Sequence, residues 1–133
     1  MLPPDDIDWV RHVNSRWLVR STFREDAQAY LDHLASVDPE RLRRSCRRAR
    51  HLSRLHRDED PKPWFYAGLF SLASLPEARR YLKNHHFTIA CIPALADSEL
   101  GSFHPGNVGV STWEKIRQIR STLSALETDK SFY

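Results

Sequence analysis

Eight arginines are concentrated between residues 39 and 57, where only one acidic residue accompanies them. Five of these arginines follow one another at steps of four, three, four and three residues: Arg43, Arg47, Arg50, Arg54 and Arg57. At about 100° per residue, this spacing places their side chains on one helical stripe roughly 80° wide, which we call the arginine stripe. Guanidinium groups bind carboxylates and phosphates through paired hydrogen bonds. The stripe, with Arg44 and Arg48 as neighbours, is therefore the candidate partner-binding surface and predicts an acidic counterpart.

The spacing of the histidines and cysteines in the same region does not indicate a metal site. Cys46, His51 and His56 are five residues apart, so on a helix each side chain points about 140° away from the last. Paired CxxC and HExxH motifs, whose ligands converge on zinc, are absent from the sequence. We therefore expect neither a metal nor another cofactor.

Four further histidine and cysteine residues lie in the second half of the chain: His85, His86, Cys91 and His104. The two adjacent histidines are expected at a helix C-terminus, where an imidazolium interacts favourably with exposed carbonyls. Cys91 lies in an apolar run, a setting in which a thiol is inert. A site that joins one of these histidines to Cys91 or His104 stays open.

No motif for nucleophilic catalysis or for a phosphate-binding loop is recognisable. No serine lies in a GxSxG sequence, and residues 104–109 (HPGNVG) lack both the GxGxxG form and the Walker lysine. The acid pairs Asp5/Asp6 and Asp58/Asp60 are interpreted as helix caps and solvated charge rather than as catalytic carboxylates. We predict that the chain is not an enzyme.

Composition and length indicate a folded protein of one domain. The chain has 133 residues, of which 41% are hydrophobic and 28% charged, and its formal net charge is +3. Residues 1–133 are expected to form a single helical domain. The N-terminal sequence carries acids where a signal peptide needs positive charge, and no apolar run approaches the roughly 20 residues of a membrane span. We expect a soluble, cytoplasmic protein without a membrane partner; the sequence does not indicate an oligomeric state.

Helix start signals recur along the chain. Three segments have the form of a capping box: Thr22/Glu25, Ser74/Glu77 and Ser111/Glu114. They predict helices over 23–36, over about 75–84 and from 111 onward. Asp38 and Pro39 together predict the start of the helix that carries the arginine stripe to about residue 55.

An N-terminal helix is expected from about residue 4 to residue 20, with Asp5 or Asp6 as its cap. Residues 64–72 (WFYAGLFSL) are apolar on all sides, which predicts a helix buried at the centre of the core. The arginine helix has a narrower apolar face, and most of its circumference is expected to stay in water. That face consists of Leu42, Cys46, Ala49 and Leu52.

These signals together predict an all-α, or nearly all-α, single compact domain of five to six helices. Residues 87–92 are rich in β-forming types, so the prediction includes the possibility of one short extended or β segment there. The glycine-containing segment at 97–110 is expected to form a long loop of unassigned role.

Three interpretations of the arginine stripe follow from the sequence. In the first, the chain is a regulatory or structural binding protein, an adaptor, inhibitor or assembly subunit that docks on an acidic protein surface. In the second, the chain is a nucleic-acid-binding protein or a small subunit of a nucleoprotein complex, and the stripe contacts the phosphate backbone. Residues near the stripe in sequence would then supply a further positive charge, Lys62, and aromatic surfaces for base stacking, Trp64 and Tyr66. In the third, the stripe is a solvated face neutralised by acids of the same domain. We expect the first, with nucleic-acid binding as the alternative.

Overall fold

The computed structural model of the chain describes residues 5–16, 21–82 and 110–128. These ranges contain six α-helices and no strand: α1 Asp6–Arg16, α2 Ser21–Val37, α3 Pro39–Leu55, α4 Lys62–Phe70, α5 Leu75–Tyr81 and α6 Val110–Thr128. The predicted helical class is confirmed for this part of the chain. The expected extended segment at 87–92 and residues 97–109 of the expected loop lie outside the described residues.

Three helices begin at side chains that the sequence marked as caps: Asp5 for α1, Asp38 for α3 and Ser74 for α5. Their oxygens accept the backbone N–H groups of residues three positions later: Asp8 at 2.7 Å, Arg41 at 3.1 Å and Glu77 at 3.5 Å. Helices α2 and α6 instead begin one residue before Thr22 and Ser111. These two residues therefore lie inside the first turn, a difference within the usual uncertainty of helix ends.

Helix α4 lies at the centre of the described core, as its uniformly apolar sequence predicts. Every residue from Trp64 to Phe70 is buried. Helices α1, α2, α3 and α6 contact it, and the buried apolar residues of α6 recur at helical spacing: Ile116, Ile119, Leu123 and Leu126.

Helices α3 and α4 approach each other closely at Gly68 of α4. A Cβ atom at Gly68 would lie 2.9 Å from the carbonyl oxygen of Arg48 and 3.0 Å from both the N and the Cα of Ala49. These are backbone atoms, which cannot turn aside as a flexible side chain can. The absence of a side chain at residue 68 therefore allows the two helix backbones to pack directly against each other.

Helix α3 is buried over a wider face than the narrow apolar seam predicted from the sequence. Its buried residues include polar and charged ones: Leu42, Ser45, Cys46, Arg48, Ala49, Leu52 and Ser53. The physical reason is that α3 packs against α1, α2 and α4 rather than along one neighbour. Only its outer side remains in contact with water, and this side carries most of the arginine stripe.

A buried hydrogen-bond chain fixes α1 against α4 and α2. The Tyr66 hydroxyl donates to Asn14 Oδ1 at 2.7 Å, and Asn14 Nδ2 donates to the carbonyl oxygen of Arg24 at 3.1 Å. Burial raises the pKa of the Tyr66 hydroxyl, which keeps it protonated and able to donate. The position of α1, which borders the arginine stripe, is thereby tied to the core.

The close contact between α3 and α4 at Gly68 predicts that alanine at this position lowers the stability of the domain, although alanine has the higher helix propensity. Gly68→Ala should destabilise the domain by about 1–3 kcal/mol, because the new methyl group would overlap the α3 backbone. Propensity alone would favour alanine by about 1 kcal/mol. Urea denaturation followed by circular dichroism measures the difference. Ala29→Gly on the exposed side of α2 is the matched control and should cost about 1 kcal/mol; a stabilised Gly68→Ala variant would contradict the close contact.

Candidate functional site

The outer side of α3 carries three arginines in one exposed row: Arg43, Arg47 and Arg54. By helical geometry these side chains fall within about 40° of one another. Arg57 is also exposed but follows the end of α3, in the turn formed by residues 56–58. The exposed row is therefore the part of the arginine stripe that a partner can reach along the helix.

Arg50, the remaining member of the stripe, contacts residues of α1 and contributes to the packing of α1 on α3. Its Nη1 lies 3.1 Å from Asp6 Oδ1, and its Cζ lies 5.4 Å from the ring centroid of Trp9. Trp9 in turn packs against Phe65 of α4, with the ring centroids 5.9 Å apart. Only 16% of the Arg50 side chain is exposed. Arg50 thus holds α1 on α3, so one acid of the domain does neutralise this member of the stripe.

Arg43 and Arg47 are influenced by acids but remain accessible. Arg43 Nη2 lies 3.0 Å from Glu40 Oε1 in a surface pair one helical turn apart. Such pairs contribute about 0–1 kcal/mol and exchange readily with water or another partner. Arg43 and Arg47 also line a cleft of about 100 Å³ together with Asp5, Asp6 and Ile7. The acids at the start of α1 therefore lower the positive potential at this end of the exposed row.

Four arginines on or near the stripe have side chains that form no ion pair or hydrogen bond with another described residue: Arg44, Arg47, Arg54 and Arg57. Arg44 is partly covered, whereas the other three are exposed. Neutralisation by the domain's own acids, the third interpretation of the sequence, therefore applies to Arg43 and Arg50 but not to these residues within the described ranges.

Arg48, which the sequence placed beside the stripe, lies inside the domain. Its side chain is fully buried, and Nη1 donates to Ser71 Oγ at 3.1 Å. Ser71 Oγ donates onward to the carbonyl oxygen of Gly68 at 2.8 Å. Arg48 therefore joins α3 to α4 at their close approach and does not belong to the surface. The overlooked signal was that Arg48 lies only about 40° from Leu52, at the edge of the apolar face.

The acidic residues 58–60, which follow α3, form their ion pairs in the described residues with side chains outside the arginine stripe. Glu59 lies 3.2 Å from His56 Nδ1 and 3.3 Å from Lys115 Nζ, and the hydrogen bond from Lys115 is the main cause that lowers the pKa of Glu59. The His56 ring stacks on Trp64 with the centroids 3.4 Å apart, and Lys115 Nζ lies 5.6 Å from the Trp64 centroid. Glu59 thereby ties α6 to the connection between α3 and α4, and among the described residues no acid pairs with Arg54.

The aromatic residues assigned to base stacking in the nucleic-acid interpretation are not available for it. Trp64 is fully buried, and Tyr66 is buried with its hydroxyl bound to Asn14. Both are buried because α4 is the central helix, so residues adjacent to the stripe in sequence point into the core. This part of the sequence-based expectation is wrong.

Leu55 is a surface feature that sequence reasoning missed. It is 60% exposed at the C-terminal end of α3. It lies outside the buried arc of the helix, although Leu52 one turn earlier lies inside it. Its side chain points about 100° away from that of Arg54, so it flanks the exposed row and offers an apolar contact at the edge of the charged surface.

Cys46 is a buried free thiol, whereas His85, His86, Cys91 and His104 lie outside the described residues. In the described ranges, no three residues of the types His, Cys, Asp and Glu are grouped so that they could hold a metal ion. Within the same ranges, no helix has the length and apolar character that crossing a membrane requires.

The pairing of Arg50 with Asp6 gives a prediction with a close control. Asp6→Asn should lower the free energy of unfolding by about 0.2–1 kcal/mol more than Asp8→Asn. Both carboxylates lie in the first turn of α1, where negative charge interacts favourably with the helix dipole, but only Asp6 is paired with Arg50. Urea denaturation of the two variants checks this, and equal losses would mean that the pair does not hold α1 in place.

The environment of Cys46 predicts an unreactive thiol. Burial raises its pKa to about 12, so at pH 8 it carries on the order of a thousandfold less thiolate than an exposed cysteine. In a Cys91→Ser background, iodoacetamide should label the native protein far more slowly than the urea-unfolded protein. The variant Cys46→Ala/Cys91→Ser defines the background rate. Rapid labelling of the native protein would show that α3 opens readily.

The chain was compared with protein-family models, with curated proteins and with solved structures, and none of them matches it. Its function is therefore inferred from the arrangement of its own residues. The feature that stands out is an arginine row on the outer side of a helix whose opposite face is buried.

Proposed function

We propose that this protein is a non-enzymatic binding protein, an adaptor, inhibitor or assembly subunit, that docks the outer side of α3 on an acidic surface of a protein partner. The observation that carries the proposal is that Arg47 and Arg54 are exposed and form no ion pair with a described residue. Guanidinium groups that have no ion pair within the described residues and lie on a packed helix can bind carboxylates without rearrangement of these helices.

The surroundings of the exposed row favour a protein over a nucleic acid. Leu55 offers an apolar contact on the flank of the exposed row, which a polypeptide side chain can cover and a phosphate backbone cannot. Trp64 and Tyr66 are buried and cannot stack on bases. The net charge is only +3, and the acids at the start of α1 reduce the potential near Arg43. A long polyanion would therefore meet a short positive surface bordered by negative charge.

Arginine is suited to this role because its guanidinium group is weakly hydrated and always charged. Interfaces are enriched in arginine, and truncating such residues often costs more than 1 kcal/mol of binding energy. Arg43 can contribute as well, since its surface pair with Glu40 is weak enough to exchange for a better geometry. We assign the row as the main source of affinity and Leu55 as its apolar complement.

The test is affinity purification of the tagged full chain from extracts of its native organism, with and without nuclease treatment. We expect specific polypeptides to be recovered in both conditions at physiological salt. The variant Arg47→Glu/Arg54→Glu should lose them, because two attractive contacts become repulsive. Its melting temperature should stay close to that of the parent chain, since both side chains are exposed.

The matched control is Arg16→Glu/Arg117→Glu, which makes the same change in net charge at exposed positions of α1 and α6. This control should retain the partners. Equal recovery with the Arg47→Glu/Arg54→Glu variant would reject the row as the binding site. Loss of all co-purifying protein on nuclease treatment, together with recovery of nucleic acid by the parent chain alone, would favour the nucleic-acid alternative instead.

A further inference from the structure

We infer that the element of the partner that docks on the exposed row is an acidic amphipathic α-helix lying along α3. This inference rests on the proposed function and adds to it the shape and chemistry of the partner. It comes from the spacing of the basic residues along α3, from the position of Leu55 and from the rigidity of the helix.

The spacing of the row matches the repeat of a second helix. Arg47 and Arg54 are seven residues apart, which is about 10.5 Å along the axis of α3, and their side chains differ by only about 20° in direction. A partner helix presents carboxylates seven residues apart at the same distance on one face. Two ion pairs can therefore form at once while both helices keep regular geometry.

An extended segment fits this spacing less well. In a strand, residues on one face are two positions apart, which is about 6.6 Å, and the next neighbour on that face lies at about 13 Å. A distance of 10.5 Å corresponds to about three strand residues, whose side chains point to opposite faces. An extended peptide could therefore pair one of Arg47 and Arg54 well, but not both from the same face.

A wider set of residues on α3 repeats the pattern of a helix-pairing seam. Arg44, Arg47, His51 and Arg54 follow one another at steps of three, four and three residues. This is the spacing at which one helix contacts another lengthwise, although here the positions carry basic rather than apolar side chains. Acidic residues of a partner that face Arg44, Arg47 and Arg54 would complement these three side chains. An apolar residue at one edge of the acidic face would cover Leu55.

The packing of α3 makes this seam rigid before the partner arrives. Arg48 is buried against α4, and the backbone at Ala49 contacts Gly68. The start of α3 is also held, because Arg41 Nη2 lies 2.8 Å from Glu77 Oε1 of α5. The distance between Arg47 and Arg54 is therefore fixed by the fold, so little conformational entropy is lost from the backbone on binding.

The test uses three fluorescein-labelled peptides and the full chain, with fluorescence anisotropy as the readout. The first peptide is an alanine-rich helix with glutamates at j, j+4, j+7 and j+11 and one leucine beside the last of them. The second has the same composition, with the glutamates spread around the helix. The third is the first peptide with a central alanine replaced by proline, which breaks the helix.

We expect the first peptide to bind at least about fivefold more tightly than the other two at low salt. This preference should disappear in Arg47→Glu/Arg54→Glu and persist in Arg16→Glu/Arg117→Glu. Leu55→Ser should reduce the affinity for the first peptide alone. Equal affinity for the three peptides, or no binding of any, would overturn the helix inference.

The outcomes separate this inference from the proposed function. If all three peptides bind equally and all are lost in the Arg47→Glu/Arg54→Glu variant, the row binds acidic segments irrespective of their shape. The proposed function would then stand without the helical partner. If cellular partners are captured equally by that variant, the proposed function fails as well, whatever the peptides do.

Discussion

The direct contact between the backbones of α3 and α4 is the constraint on which the arrangement of the described domain depends. Gly68 permits this contact, and the buried Arg48 side chain stabilises it by donating a hydrogen bond to Ser71 of the segment after α4. Because one face of α3 is committed to α4, the rotation of α3 about its own axis is fixed. The direction of every arginine on the helix then follows from its place in the sequence, and the exposed row points to water as a consequence of core packing.

The same residue type serves three purposes on one helix, and the neighbours decide which. Arg48 faces α4 and is buried; Arg50 faces α1 and binds Asp6 over the Trp9 ring; Arg47 and Arg54 face water. The angle between Arg47 and Arg50 is only about 60°, yet one is exposed and the other is largely covered. The edge of α1 therefore divides the arginine stripe into a structural part and a binding part.

This division of the arginine stripe explains how much of the fold and of the candidate site could be predicted from the sequence. Caps at Asp5, Asp38 and Ser74 depend on a few adjacent residues, so local patterns located them correctly. The burial of α4 followed from an unbroken apolar sequence. The different fates of Arg47, Arg48 and Arg50 depend on which helices pack beside α3, and a helical wheel gives directions but no neighbours. The stacking role given to Trp64 and Tyr66 in the nucleic-acid interpretation conflicted with the burial predicted for residues 64–72, because adjacency in sequence was taken as adjacency on the surface.

The exposed row also has an energetic cost for the isolated domain. Arg43 and Arg47 are four residues apart on one helix, a spacing at which like charges repel by a few tenths of a kcal/mol, and Glu40 offsets only part of this through a surface pair. The acids at the start of α1 act on the Arg43 end, whereas Arg54 has no ion pair with a described residue. Under the proposed function, carboxylates of a partner along the exposed row would relieve repulsion that the acids of the described residues do not balance. We expect the proposed attraction to be strongest at the C-terminal half of α3, because the acids of α1 act on the other end of the row and Leu55 flanks this half with an apolar contact.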